Sequence, residues 1–352
     1  MSTAHLFEGL KVIDLSTVLA GPSVASFFAE MGAEVIKVES PEGDVTRTWF
    51  AKDEDPLSLS AYYQSVNHNK KVITLDLKQG NGELLALIQG SDLIISNFKY
   101  GDAEKFDITD EKLKAINPGL IIAKIKGFER DHQRVAYDVV LQAETGFMAI
   151  NGEKNAAPLK MPVALMDVLA AHQLKEGILC AMLQKAKTGK GCTVVCSLEM
   201  AGIASLMNQA SLFLKNGIIP KAMGSLHPNI CPYGEILHFK DGVQMVLAVG
   251  SQRQFKDLCS VMGMQEIANQ SDFIDNASRV VNRVELLSLL QNQAAKMEGK
   301  KVLDLLHQHH VPVGEIKKMN EVMANAHRIG GINMDVKTQL PYVKSVAFTI
   351  ED

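Results

Sequence analysis

The sequence predicts an α/β fold, a Rossmann-like large domain with a parallel sheet plus a smaller α+β domain. Three observations lead there. Short β-rich runs alternate with helical stretches through the first half of the chain, and strands separated by helices pair in parallel with both faces covered. Gly21-Pro22 follows the first of these runs and opens a helix, the outline of a nucleotide-binding βαβ unit. Finally, Asn216–Pro232 carries glycines and prolines with little apolar periodicity, and it separates this half from a second set of elements.

The elements follow in order. KVIDL (Lys11–Leu15) is the first strand, and the helix opened by Gly21-Pro22 runs through Met31. Proline is tolerated there because its missing N–H falls in the first turn. EVIKVE (Glu34–Glu39) and KVITLDL (Lys71–Leu77) are the next strands, and GELLALIQG is a helix ending at Gly90. DLIISNF (Asp92–Phe98) and LIIAKIKGF (Leu120–Phe128) are strands flanking a helix at Asp110–Ile116. Tyr137–Ile150 and Asp167–Lys185 read as helices; in the second, Val168, Ala171, Leu174, Ile178 and Ala181 recur close to the helical period. Thr188-Gly189-Lys190-Gly191 stops it, and Cys192–Ser197 returns as a strand. Leu198–Leu214 is apolar but interrupted by Glu199, Asn208 and Gln209, which reads as a buried helix rather than a membrane span. Past the boundary come a strand at Val243–Val249 and helices at Gln252–Met262, Arg283–Met297 and Lys300–His309. VPVGEI (Val311–Ile316) follows them.

Composition narrows the function. A chain of 352 residues exceeds one ordinary domain, and 47% hydrophobic with 22% charged residues is a globular balance. A net charge of −4 and a single tryptophan, Trp49, speak against nucleic-acid partners. The cysteines (180, 192, 196, 231 and 259) are odd in number and form no CxxC or Cys/His array. That pattern predicts a reducing, cytoplasmic location and no metal site. MSTAHLFEGLKVIDL lacks a basic region leading into an apolar one, so no signal peptide is expected.

Individual motifs leave alternatives open. Glu39 ends the second strand near where a ribose would be met, but LAGPSVAS lacks the GxGxxG glycines that let a backbone approach a pyrophosphate. A nicotinamide-dependent oxidoreductase therefore has a fold argument without its fingerprint. Lysines cluster at 70, 71, 78, 99, 105, 112 and 114, some of them placed to hold the phosphates of an acidic cofactor. Asp167, at a helix start after an apolar approach, reads as a helix N-cap. That position favours an ionised carboxylate, and one that is also desolvated is a usable nucleophile.

Longer stretches add to this. GLKVIDLSTVLAGPSVASFFAEMGAEVIKVES, GDVTR, NKKVITLDLK, SNFKYG and YDVVLQAETGFMAING resemble the class III coenzyme A transferases. This is the family of formyl-CoA transferase, carnitine CoA-transferase and alpha-methylacyl-CoA racemase. PVALMDVLAAHQLKEGILCAML, TGKGCTVVCSLEMA and HPNICPYGEI extend the likeness over about the first 250 residues, and the remainder matches more loosely. The resemblance implies that Asp167 is the catalytic aspartate. It implies that Leu19 and Ala20 meet the acyl-thioester end of the substrate and that Leu75 and Lys78 hold its nucleotide. Asn97, Phe98, Lys99 and Lys105 become further CoA contacts. Val135, Ala136, Tyr137 and Asp138 line the pantetheine end, with Tyr137 facing the aspartate. It also implies a ring-like chain in an interlocked homodimer: a large domain over 1–215, a smaller one with linkers over 216–318, and a return to the large domain over 319–352. The partners are then acyl-CoA and carboxylic acids. CoA or acyl-CoA acts as substrate rather than as a tightly bound cofactor.

Departures within the family choose the reaction. The racemase branch has histidine where Tyr137 stands, thirty residues before Asp167. Racemisation needs a base on each face of the carbon, and tyrosine, with a pKa of ~10, is a poor one. His132 is the nearest imidazole. CoA transfer is therefore the expected activity, with 2-methylacyl-CoA racemase as the alternative. A non-catalytic CoA-binding regulator is disfavoured by the presence of Asp167 and Tyr137. Leu19 replaces a glutamine of formyl-CoA transferase, Ser225-Leu226-His227-Pro228 replaces its glycine loop, and Ser40 replaces an arginine near the nucleotide. These changes point away from oxalate as acceptor.

Overall fold

The computed structural model of the protein describes residues 5–131 and 133–351. The chain divides into two compact units: one holds the residues up to Met148, Lys160–Ile219 and the residues from Ala326; the other holds Ala149–Leu159 and Pro220–Asn325.

The first unit is built on six parallel strands: β1 (Lys11–Asp14), β2 (Glu34–Glu39), β3 (Lys71–Thr74), β4 (Leu93–Ser96), β5 (Ile121–Lys126) and β6 (Thr193–Ser197). Their order is β3-β2-β1-β4-β5-β6, so the direction of winding reverses between β1 and β4. The helices are α1 (Ala20–Glu30), α2 (Ala61–Ser65), α3 (Gly82–Gln89), α4 (Asp102–Lys105) and α5 (Asp110–Ile116). They continue with α6 (Asp138–Glu144), α7 (Phe147–Ile150), α8 (Leu165–Thr188), α9 (Leu198–Ala204) and α10 (Met207–Asn216). Because side chains alternate along a strand, the sheet feeds two cores. Val12, Leu93, Ile95 and Ile121 pack with Val24 and Phe28 of α1 and with Leu174 and Ile178 of α8. Ile13, Ile94 and Ile122 turn the other way, onto Leu84 and Ile88 of α3 and Leu113 of α5. Each such side chain, almost fully buried, contributes about 1.5–3 kcal/mol.

Two long helices expected from the sequence are each broken. Over 137–150 the break falls at Gly146, with φ 87°, between α6 and α7. Over 198–214 it falls before Met207, whose φ is 44°, and α10 buries none of its residues, leaving Phe213 and Leu214 exposed. Leu198 and Ala201 of α9 join the core, whereas the apolar residues of α10 mark a surface. Among the described residues no helix is long and apolar enough to cross a membrane.

The second unit has an antiparallel sheet of β7 (Tyr233–His238), β8 (Gln244–Ala248) and β9 (Val313–Glu315), ordered β7-β8-β9. Its helices are α11 (Gln252–Val261), α12 (Asn276–Val281), α13 (Arg283–Ala294) and α14 (Gly299–Gln308). Met245, Leu247, Phe255, Leu258, Leu290 and Leu306 form its core. After α15 (Met319–Arg328) the chain rejoins the first unit as a hairpin, β10 (Ile332–Met334) with β11 (Pro341–Val343). Gln64 donates to Pro341 O at 2.9 Å and Asn69 to the Tyr342 hydroxyl at 2.9 Å, tying the hairpin down.

Candidate active site

The residues singled out in the sequence gather past the carboxyl ends of the strands. Leu19 and Ala20 follow β1, Leu75 and Lys78 follow β3, Asn97 to Lys99 follow β4, and Val135 to Asp138 follow β5. Open α/β sheets bind ligands at this end, close to the point where the strand order reverses.

Two glycines make the approach possible. A Cβ on Gly21 would lie 2.3 Å from the Ser16 Cβ, so only glycine lets α1 start so tightly against the end of β1. A Cβ on Gly127 would lie 2.1 Å from that of Ala136, and its absence seats the 135–137 segment against the end of β5.

Asp167 is not the N-cap of its helix. Helix α8 begins at Leu165; the cap position is Ala164, with no side-chain cap bond, and Asp167 is the third residue of the first turn. The cap comes from another helix. Asp138, first residue of α6, accepts the Met166 N–H at 2.7 Å on Oδ1 and the Gln142 side-chain amide at 2.7 Å on Oδ2. Buried Gln142 in turn accepts the Met161 N–H at 2.8 Å, fixing the approach to α8. Asp167's carboxyl is thus left free of capping duty. Burial, with the charge of Asp138 added, pushes it up to about 7. The sequence leads us to expect a carboxylate kept ionised by the helix end; burial and the like charge of Asp138 instead raise its pKa.

A tyrosine overlooked in the sequence belongs here. Burial and the charges of Asp167, Asp138 and Asp44 push the Tyr62 phenol up to about 12, so it remains a neutral donor. Its ring meets Trp49 edge-on, with centroids 5.1 Å apart. Nothing in AYYQS announces this role; the charges that reach Tyr62 come from segments distant in sequence. Tyr137 is half exposed at the N-cap position of α6 and makes no side-chain cap bond. His132 lies outside the described residues.

The residues expected to hold the nucleotide form a second group. Leu75, Phe98 and Phe106 pack on one apolar cluster, and Phe98 meets Phe106 edge-on at 5.8 Å. The Lys105 ammonium lies 5.4 Å from the centre of the Phe106 ring. Lys78, Lys99 and Lys105 are exposed. Asn97 has a different use: its amide spans Thr17, accepting the N–H at 3.0 Å and donating to the carbonyl at 2.9 Å. Lys70, counted in the sequence among candidate phosphate ligands, is buried and paired with Asp14 at 2.8 Å. Glu39 is bound by Arg47 at 2.7 Å and by the Tyr63 hydroxyl at 2.7 Å, and so is taken from any ribose. Among the described residues no cluster of His, Cys, Asp or Glu side chains is suited to a metal ion.

The Rossmann-like sheet thus carries, at the foot of a long helix, a desolvated carboxylate whose pKa is raised to about 7. The CoA-transferase family III model matches residues 7–350, and the chain belongs to that family. The chain is 34% identical to the succinate–glutarate CoA-transferase of Agrobacterium fabrum, over 94% of this chain and 85% of that one. It is also 34% identical to the human succinyl-CoA:glutarate CoA-transferase, over 92% of this chain and 74% of that one. A crystal structure of a CaiB/BaiF family protein from Brucella suis superposes with a TM-score of 0.87 at 35% identity, covering 98% of this chain and 93% of that one. The protein is accordingly a class III, CaiB/BaiF-type CoA-transferase.

Proposed function

We propose that the protein moves coenzyme A from an acyl-CoA to a free carboxylic acid through an aspartyl-CoA thioester on Asp167. The observation that carries this reading is the Asp167 carboxyl itself, part-buried beside Asp138 and shifted up to about 7. A carboxylate of raised basicity is a better nucleophile, and near neutral pH a large share of it is still ionised.

In the proposed sequence an Asp167 oxygen attacks the acyl-CoA carbonyl. The tetrahedral intermediate expels CoA thiolate and leaves a mixed anhydride. The thiolate then attacks the aspartyl carbonyl, releasing the first carboxylic acid as its anion and leaving aspartyl-CoA. The acceptor carboxylate attacks that same carbonyl and expels the thiolate again. Finally the thiolate attacks the acceptor's acyl carbonyl, which releases the new acyl-CoA and restores Asp167. Every intermediate is an activated acyl group, so no other energy source enters. Leu19 and Ala20 would wall the acyl end against water, and Tyr62, neutral and within the field of Asp167, would donate to a developing oxyanion.

Relatives named for succinyl-CoA and glutarate support a dicarboxylic acid of four or five carbons as substrate. Lys78, Lys99 and Lys105 would meet the phosphates, and Leu75 and Phe98 the base, while Val135–Tyr137 would flank the pantetheine arm. The exposed apolar face of α10 supports a homodimer, interlocked as in the family. The five unpaired cysteines suit the cytoplasm. Incubation with succinyl-CoA and glutarate, quenched with hydroxylamine, tests the mechanism. A hydroxamate at Asp167 is expected, and turnover with no label there would sink it.

A further inference from the structure

Four charged side chains lie fully buried beneath the loop joining β1 to α1. Lys37 pairs with Asp44 at 3.1 Å and donates to Ser16 O at 2.8 Å. Lys70 pairs with Asp14 at 2.8 Å and donates to Pro22 O at 2.7 Å and Asn67 Oδ1 at 3.1 Å. All four side chains are 0% exposed. Asp44 also accepts the Val18 N–H at 3.3 Å, the Thr46 N–H at 3.0 Å and the Thr46 hydroxyl at 2.8 Å. On the opposite side of the loop stands Asn97, its amide closed on both backbone groups of Thr17.

Held between these partners, Val18 has φ 71°. A β-branched residue is disfavoured in the left-handed region, and such a conformation persists only where its surroundings impose it. Nor do buried ion pairs earn their place by net stability, since apolar packing of the same volume does as well. What they supply is fixed geometry, and here Lys37, Asp44 and Asn97 each reach the loop backbone, at Ser16 O, the Val18 N–H and both groups of Thr17. The next two residues are Leu19 and Ala20.

We propose that Lys37, Asp44 and Asn97 are positioning residues, a clamp that imposes the left-handed turn on Val18 and thereby fixes Leu19 and Ala20 against the acyl end of the substrate. Lys37 and Asp44 are fully buried and so act through the loop rather than on the substrate. The last step rests on the transferase reading above; the clamp itself does not.

A thermodynamic cycle on the full-length chain separates the two. Val18→Gly removes the steric penalty of the left-handed turn. If Asp44 imposes that turn, the change in urea midpoint caused by Val18→Gly is more favourable in the wild type than in Asp44→Asn, where Val18 is free to relax. Equal effects in both backgrounds overturn the clamp. Should Asp44→Asn not fold, the same cycle with the half-buried Asn97→Ala decides the matter. The kinetic arm reads function: Asp44→Asn is expected to lower kcat at least tenfold while the dissociation constant for free CoA changes less than threefold. An unchanged kcat overturns the positioning role. A wild type that transfers CoA to no carboxylic acid overturns the transferase reading and leaves the cycle to judge the clamp.

Discussion

Asp138 caps the helix that carries Asp167 and, by its own charge, raises the proton affinity of Asp167. The two carboxylates come from different helices, α6 and α8, and the bond from the Met166 N–H ties Asp138 to the residue before Asp167. Helix stability and the basicity of Asp167 are therefore coupled through a single side chain.

Asp138→Asn separates those two effects. The amide oxygen still accepts from Met166, but the charge is gone, so Asp167 should become more acidic. The acid limb of kcat/KM, expected near pH 7 in the wild type, should move to lower pH. Asp138→Ala should in addition lower stability by about 0.5–2 kcal/mol, the usual loss for a removed cap. An unmoved acid limb in Asp138→Asn would show that burial alone sets the basicity of Asp167.

Replacing Asp167 itself should abolish transfer and stabilise the fold at alkaline pH. Its carboxyl titrates near 3.8 when unfolded and at about 7 when folded. Between those values the folded chain holds a proton that the unfolded chain has released, so stability falls as pH rises from 4 to 7. Asn at this position has no such slope. The gain in Tm of Asp167→Asn over wild type should therefore be larger at pH 8 than at pH 5. In free energy, the difference between the two pH values is bounded at about 3 kcal/mol, two units between pH 5 and 7 at ~1.36 kcal/mol each, reduced by the solvent that reaches the partly exposed group. A constant difference between the two pH values would contradict the shift.

Lys78→Glu and Lys105→Glu probe the nucleotide end. Both side chains are exposed, so each supplies screened attraction to phosphate rather than a buried contact. CoA binding should weaken in both variants at low ionic strength and converge on the wild type as salt is added. Dissociation constants equal to wild type in low salt would remove these lysines from the site.

How far the sequence carries this site depends on how each residue acts. Strands β1, β2, β4 and β5 were legible because continuous β-branched runs have one use in a parallel sheet. Leu19, Asn97 and Asp138 were placed by resemblance, yet two of them owe their role here to bonds with Thr17 and Met166, far along the chain. Lys70 read as a phosphate ligand because composition does not distinguish an exposed lysine from one buried against Asp14. The break before Met207 was hidden for a related reason: apolar residues that belong on an exposed face give the same pattern as those of a core.

The last prediction concerns α-carbon chemistry. Racemisation of a 2-methylacyl-CoA needs a base on each face of the acidic carbon. Asp167, titrating at about 7, is a competent base for one face. Tyr62, pushed up to about 12 by burial and the neighbouring carboxylates, is protonated at neutral pH and supplies no second base. Tyr137, which the family resemblance sets against the racemase histidine, has a half-exposed side chain. Incubated in heavy water, a 2-methylacyl-CoA should therefore take up deuterium at its α-carbon far more slowly than CoA is transferred. Mass spectrometry of the recovered thioester measures both rates in one sample. Deuterium uptake as fast as transfer, lost in His132→Ala and kept in Tyr137→Phe, would instead make His132 the second base and the protein a racemase.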